Sequence, residues 1–228
     1  TPHETYGVMA AVFNGDVVDY CPPGDDPQRC NPYGLDFPFG DDALYMAEGF
    51  YKYDTRDLPG RIKFGGWLHT GDFEKIADPS IVESGNFGLY ALWDQQIIKL
   101  DSDGRNIAVF ARIMGAPSDR NIVDVYAEGG VTVTGPFATR PKDLLGIGFA
   151  YTGTSHSAQI ADREAGQSIV RDYEALLEVS YTAHLVSGLS IQPDIQYFWN
   201  PGGRVPDASG TRPVENALVL GLRSTINY

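Results

Sequence analysis

Residues 216–228 read NALVLGLRSTINY, and their alternation decides the fold. Leu218, Leu220, Leu222, Ile226 and Tyr228 fall on one face of an extended chain, while Val219, Gly221, Arg223, Thr225 and Asn227 fall on the other. Side chains alternate across a β-strand with a period of two, so this segment has one apolar face and one small or polar face. The pattern recurs upstream. In 105–115, Ile107, Val109, Ala111 and Ile113 oppose Asn106, Ala108, Phe110 and Arg112. In 123–135, Val125, Ala127, Gly129, Val131 and Val133 oppose Asp124, Tyr126, Glu128, Gly130, Thr132 and Thr134. In 143–154, Leu145, Ile147, Phe149 and Tyr151 oppose Gly146, Gly148, Ala150 and Thr152. In 171–184, Tyr173, Ala175, Leu177, Val179 and Tyr181 oppose Asp172, Glu174, Glu178, Ser180 and Thr182.

Extended to the whole chain, this reading predicts ten strands, at about 5–14, 43–54, 61–71, 85–100, 105–115, 123–135, 143–154, 171–184, 189–199 and 216–228. Their connections alternate as well. Thr55–Gly60, Asp101–Gly104, Gly135–Lys142 and Leu185–Gly188 are mostly short; 15–42, 72–84, 116–122, 155–170 and 200–215 are mostly longer and irregular. Tight turns at one rim and long loops at the other are the mark of an up-and-down transmembrane barrel. Strands of 10–14 residues also suit a tilted membrane crossing better than a soluble sheet. Tyr6, Tyr45, Tyr53, Trp67, Tyr151, Tyr173, Tyr181, Trp199 and Tyr228 sit near strand ends, as interfacial aromatic girdles do. The predicted class is therefore all-β, a transmembrane antiparallel up-and-down β-barrel.

Composition agrees and excludes other classes. The 228 residues hold 17 Lys+Arg against 30 Asp+Glu, a formal charge of −13, which argues against a nucleic-acid partner. Gly is abundant at 26 and Met scarce at 3, with 13 Tyr, 11 Phe and 3 Trp, a bias toward β-structure. The longest apolar run, 144–151, is too short for a transmembrane helix. A mean hydropathy of −0.22 does not oppose a barrel, because every second residue faces a wet lumen. The chain opens Thr1-Pro2-His3 with no initiator Met and no signal-peptide core, which reads as a processed chain or a fragment.

Cys21 and Cys30 flank a Pro/Asp-rich stretch, CPPGDDPQRC, inside the long loop 15–42. A disulfide there needs an oxidising compartment such as the periplasm or cell surface, and closing a ten-residue loop contributes ~2.5–3 kcal/mol in the chain-entropy model. The other reading is a pair of reduced cysteines in a cytosolic loop. No P-loop, dinucleotide glycine fingerprint, HExxH or paired CxxC occurs, and His3, His69, His156 and His184 lack metal-ligand spacing. Ser155-His156-Ser157 reads as loop polarity, and Glu174 with Glu178 as wall charges rather than an acid/base pair. No catalytic residue, metal or cofactor is predicted.

Several stretches resemble one family. KFGGWLHTGDF (63–73), FGLYALWDQ (87–95), VFARIMGAPSDRNIVDVYAEGGVTVTGPF (109–137) and DLLGIGFAYT (143–152) are similar to the carbohydrate-selective outer-membrane porins, the OprB-like family. The likeness is clearest in DYEALLEVSYTAHLVSGLSIQPDIQYFWNPGG (172–203) and NALVLGLRSTINY (216–228), and it covers nearly everything from about residue 40 onward. The loop 15–42 matches no family pattern. The resemblance implies a sixteen-stranded barrel of which residues 1–228 form the C-terminal part, in a chain about twice as long. It implies integral residence in the bacterial outer membrane, with passive diffusion of glucose-like sugars and small polar solutes. Its partners would be outer-membrane lipid and small sugars, the barrels standing alone or as homotrimers. The C-terminus is expected in the periplasm, which puts 15–42 and 200–215 outside the cell.

A porin needs donors, acceptors and an occasional aromatic platform on its wet wall. Extending the alternation inward selects Glu48, Lys52, Arg61, Lys63, Trp67, His69, Asp94, Gln96, Arg112, Glu128, Glu174, Glu178, Gln192, Asp194, Gln196 and Arg223 as pore-lining candidates, with Arg112 and Glu128 foremost because each is a charge in mid-strand on a small or uncharged face. Two other readings stand beside this one: a ten-stranded outer-membrane barrel enzyme, which needs a clustered nucleophile and base, and a soluble β-sandwich carbohydrate-binding module, which needs an apolar interior between two sheets.

Overall fold

The computed structural model describes residues 4–16, 18, 21–22, 26–35, 42–100 and 104–227. Ten strands form within them: β1 (Tyr6–Asn14), β2 (Ala43–Thr55), β3 (Leu58–Glu74), β4 (Val82–Lys99), β5 (Asn106–Gly115), β6 (Val123–Thr134), β7 (Leu144–Thr154), β8 (Glu174–Val186), β9 (Leu189–Trp199) and β10 (Ala217–Ile226). They pair antiparallel in strict chain order within one sheet, so every connection is a hairpin. Each expected strand is present at nearly its expected bounds. Tyr228 and most of Asp101–Gly104 lie outside the described residues, as does much of 15–42.

The hairpin chemistry explains the tight rim. Thr55 pairs with Leu58, leaving Arg56 and Asp57 as a two-residue turn with φ of 55° and 61°. Positive φ at both positions matches the right-handed twist of the flanking strands. Val186 pairs with Leu189 around Gly188, at φ 80°, a conformation that costs glycine little. The opposite rim differs from expectation in two ways. First, β3 and β4 run to 17 and 18 residues, past a register shift between His69 and Asp72, so the expected loop 72–84 shrinks to 75–81. A bulge re-aims the strand without ending the ladder, and the Lys75–Glu83 ion pair at 2.7 Å ties the tip. Second, the long loops carry short helices: α1 (Pro27–Cys30), α2 (His156–Glu164) and α3 (Pro201–Arg204). The fully buried Ser155 caps α2 by accepting a hydrogen bond from the Ala158 amide.

Register makes the face assignment continuous. Leu218 faces Tyr197, Leu220 faces Ile195, and Tyr197 and Ile195 face Leu177 and Val179. The row continues through Phe149 and Ile147 to Gly129 and Val131, and on to Ala111 and Val109. From there it reaches Trp93 and Ile62, then Tyr51 and Tyr6. This face carries no charged side chain along the described paired strands below His69. Its side chains are open, Leu220 being 73% and Leu222 75% exposed. Among the described residues, Val18, Phe50, Ala158 and Ala175 are the buried hydrophobics, so no second layer packs on the sheet. That removes the β-sandwich reading, which requires a shared interior. An uncovered apolar face this long is stable against lipid, not water.

Aromatics mark both ends of that face. Near the tight turns, Tyr51 stacks on Tyr53 with centroids 6.1 Å apart, and the Trp93 indole donates to the Tyr53 hydroxyl at 2.7 Å. Near the long loops, Tyr151 stacks on Tyr173 at 5.5 Å, and Tyr197 meets Trp199 edge-on at 4.8 Å. Trp67 corrects the expected girdle. Its partner is Gly88 on the opposite, polar face, because its register position matches Glu48 rather than Tyr45. The disulfide Cys21–Cys30 is formed, with Cα atoms 5.6 Å apart.

β1 pairs only with β2 and β10 only with β9 among the described residues, so the sheet is open and is not a self-closed ten-stranded barrel. Pro193 lies inside β9 between two neighbours, an uncommon place for a residue without an N–H. The β8–β9 ladder skips there, passing from Ser180↔Asp194 to Ala183↔Ile191.

Candidate functional site

The polar face of the sheet collects the candidates. Glu48, Arg61, Lys63, Trp67, Asp94, Gln96, Arg112, Glu128, Glu174, Glu178, Asp194, Gln196 and Arg223 all fall on it by register, as do Lys52 and Gln192. Local alternation places each side chain on that face, and cross-strand pairing decides which of them meet.

Arg112 on β5 stands directly opposite Glu128 on β6. Its Nη1 donates to Glu128 Oε1, while the Tyr126 hydroxyl donates to Oε2 of the same carboxylate. The guanidinium also lies 5.2 Å from the Phe110 ring centroid. A carboxylate holding both a guanidinium and a phenol has a fixed orientation, and charge-assisted bonds of this kind are the stronger ones. Beside it Gly146, Gly148 and Ala150 supply no bulk, leaving a concavity of about 300 Å³ that extends to Glu178. Glu178 accepts from Gln196 Nε2 at 2.9 Å.

A second cluster occupies β2–β4. Lys63 Nζ donates to Glu48 Oε1 at 2.8 Å and the Tyr90 hydroxyl to Oε2 at 3.1 Å. Arg61 and Lys52 sit over the Phe50 ring, 5.1 and 5.8 Å from its centroid. Asp94 faces Arg61 across the β3–β4 ladder. The remaining candidates are more scattered. Asp194 lies opposite Gly221 and Arg223 opposite Gln192. Gln96 sits at the register shift in β4. Glu174 accepts from the Gly202 amide, which binds it to the α3 loop.

Charge is unevenly spread along this wall. Lys52, Arg61, Lys63 and Arg112 occupy β2, β3 and β5, with Glu48 and Asp94 among them; Glu128, Glu174, Glu178 and Asp194 follow on β6, β8 and β9, where the described polar face has no Lys or Arg. Alternation singled out the charged members but not the phenols Tyr90 and Tyr126 or the rings Phe50 and Phe110 that orient them. Their parity was visible in the sequence; their partners were not.

At the long-loop rim the loops brace one another. Asn86 and Asn121 exchange amide hydrogen bonds at 3.0 and 2.9 Å. The Ile76 amide donates to the Asp119 carbonyl and the Ser155 amide to that of Ile122. Arg171 grips Asp162 through Nε at 2.9 Å and Nη2 at 2.7 Å. That guanidinium holds the Asp162 carboxyl below the usual carboxylate range despite its burial. No cluster of three or more metal-ligating side chains occurs among the described residues.

Comparison with known proteins agrees with this geometry. The family model described as "Carbohydrate-selective porin, OprB family" matches residues 1–228. Porin B of Pseudomonas aeruginosa is 26% identical over 197 residues, which cover 75% of this chain and 42% of that protein. The high-pH structure of Pseudomonas putida OprB superposes with a TM-score of 0.78 at 21% identity, covering 99% of this chain and 56% of that one. The low-pH structure of the same protein gives 0.54 at 20% identity, covering 83% and 48%. These structural likenesses speak to the fold: ten consecutive antiparallel strands, joined by nine hairpins, that superpose on part of a solved barrel wall. The chain spans about two fifths of the length of the curated relative and about half that of the solved one.

Proposed function

Because this chain belongs to the carbohydrate-selective porin, OprB family, a family of outer-membrane channels and not of enzymes, we propose that its polar face lines a water-filled pore for passive diffusion of glucose-like sugars. The observation that carries the reading is the Arg112–Glu128–Tyr126 group, a hydrogen-bonded charge cluster in mid-wall on the face opposite the lipid-facing one. A hexose presents hydroxyls that donate and accept at once, and a fixed guanidinium beside a fixed carboxylate answers both. The basic residues on β2–β5 and the acids on β6–β9 add a transverse field across the lumen, which orients small polar solutes.

Replacing Arg112 by alanine tests this. A hydrated wall tolerates the truncation, so the barrel still folds. In planar bilayers the reconstituted full-length protein then shifts its ion selectivity toward cations, since one fixed positive charge is lost. The reduction of ionic current by added glucose weakens as well. Unchanged selectivity together with unchanged sugar block removes Arg112 from the conducting path.

In the orientation we infer, the four tight turns and the C-terminus lie in the periplasm, and the long loops face outward. Short periplasmic turns and longer external loops are the rule for such barrels. Protease added to intact cells then cuts within 15–42 or 200–215 and spares 185–188. Cutting confined to 185–188 reverses the orientation.

A further inference from the structure

Three aromatic rings on the polar face lie over cross-strand glycines: Phe110 over Gly130, and the neighbouring pair Trp67 and Tyr90. Trp67 pairs with Gly88, and a Cβ added to Gly88 would fall inside the indole, against Nε1 and Cε2. Tyr90 pairs with Gly65, and a Cβ there would fall on the phenol. Each glycine lets its partner's ring settle onto the backbone, so one ring face is covered by the wall and the other is turned away from it. Both residues remain half-exposed. The rings are neighbours in register, Trp67 two positions beyond Gly65 on β3, and together they floor an open concavity of about 450 Å³. Met46, Leu92, Met114 and Tyr126 are among the other residues that line it, together with the carboxylates Glu48 and Asp124.

We infer that this concavity is a stacking subsite for a hexopyranose, which lays its C–H face on Trp67 and Tyr90 and turns its hydroxyls to the flanking polar groups. The chemistry is complementary. The hydroxyl protons of Tyr90 and Tyr126 are committed to Glu48 and Glu128, which leaves both phenol oxygens as acceptors. Lys63 and Arg112 fix the other oxygen of each carboxylate. An apolar floor with a few oriented polar groups around it is the usual form of a small-ligand site, and the volume suits one ring. Ring stacking also discriminates by shape: an acyclic polyol has the same hydroxyls and no flat C–H face to offer.

The inference rests on the porin reading for its solute, and the protein's own fluorescence separates the two. The chain holds three tryptophans. Trp93 and Trp199 lie on the apolar face, so Trp67 is the one positioned to sense a sugar in the lumen. Glucose titrated into the detergent-solubilised full-length barrel is expected to change indole emission, whereas sorbitol does not. The change disappears in Trp67→Phe, which keeps an aromatic floor and the fold. In Trp67→Leu, which keeps bulk without a π-face, the glucose concentration for half-maximal current block rises about five- to tenfold, the ratio expected for losing one aromatic face. Electrophoretic mobility of the unboiled barrel verifies that both variants fold. An emission change that survives in Trp67→Phe, or one that sorbitol reproduces, overturns the subsite, as does a wild-type protein that conducts ions yet shows no glucose response. A glucose response in a protein that does not conduct overturns the porin reading and leaves the subsite standing.

Discussion

Ile195→Arg is expected to cost the folded barrel about 2–4 kcal/mol, the penalty for a guanidinium at the membrane midplane of a barrel wall. Ile195 lies near the middle of β9, 52% exposed, with Val179 on one side and Leu220 on the other, all on the uncharged face. The same substitution at its neighbour Gln196, which points to the polar face and donates to Glu178 at 2.9 Å, is expected to stay within about 0.5 kcal/mol. Urea or guanidinium unfolding of the protein refolded into lipid vesicles measures both. A one-residue step reverses the side chain's solvent from hydrocarbon to water, so the pair isolates facing from every other property of the strand. Equal destabilisation at both positions refutes the assignment of faces.

Asp143 carries the second large effect. It is 1% exposed at the turn before β7, yet it serves three donors. Arg140 donates through Nε and Nη2, the Tyr181 hydroxyl donates to Oδ2, and the His184 amide donates to Oδ1 at 2.9 Å. The Arg140 guanidinium, opposed by burial and helped by Tyr181 and the His184 amide, lowers the Asp143 carboxyl to about 2. An unfolded aspartate titrates near ~3.9, so the folded state holds its proton less tightly. Its contribution to stability is therefore complete above about pH 4–5 and is lost as pH falls toward 2. Asp143→Asn is expected to destabilise the barrel by about 1–3 kcal/mol at neutral pH, because hydrogen bonds to a charged group are replaced by weaker ones. It also flattens the acid limb of the stability curve. Unfolding midpoints of both proteins at pH 7 and pH 3 decide the matter. A variant that loses as much stability on acidification as the parent shows that another group carries the titration.

The two residues differ in how far they could be read in advance. Ile195 was placed by counting, since LSIQPDIQY alternates and its face follows from its parity. Asp143 was no more than the boundary of an expected strand. Its burial depends on Tyr181 and His184 arriving from β8, about forty positions along the chain. Glu174 shows the same limit from the other side: alternation put it on the polar face, but its carboxylate is taken by the Gly202 amide of a loop whose helix no local pattern announced. Trp67 was counted both among strand-end aromatics and among lumen candidates, and register against Gly88 decided for the polar face.

By itself the sequence determined the ten strands, their two faces, the alternation of tight and long connections, and which residues carry charge on the wet side. All of these are local consequences of a backbone that turns each side chain over at every step. Register, ring orientation and loop anchoring were decided only in the tertiary structure. Arg112 meets Glu128, Tyr90 reaches Glu48, and Trp67 lies down over Gly88 because hairpins of particular lengths bring those positions level. A strand's own pattern says which way a side chain points but nothing about which residue on the next strand stands opposite it.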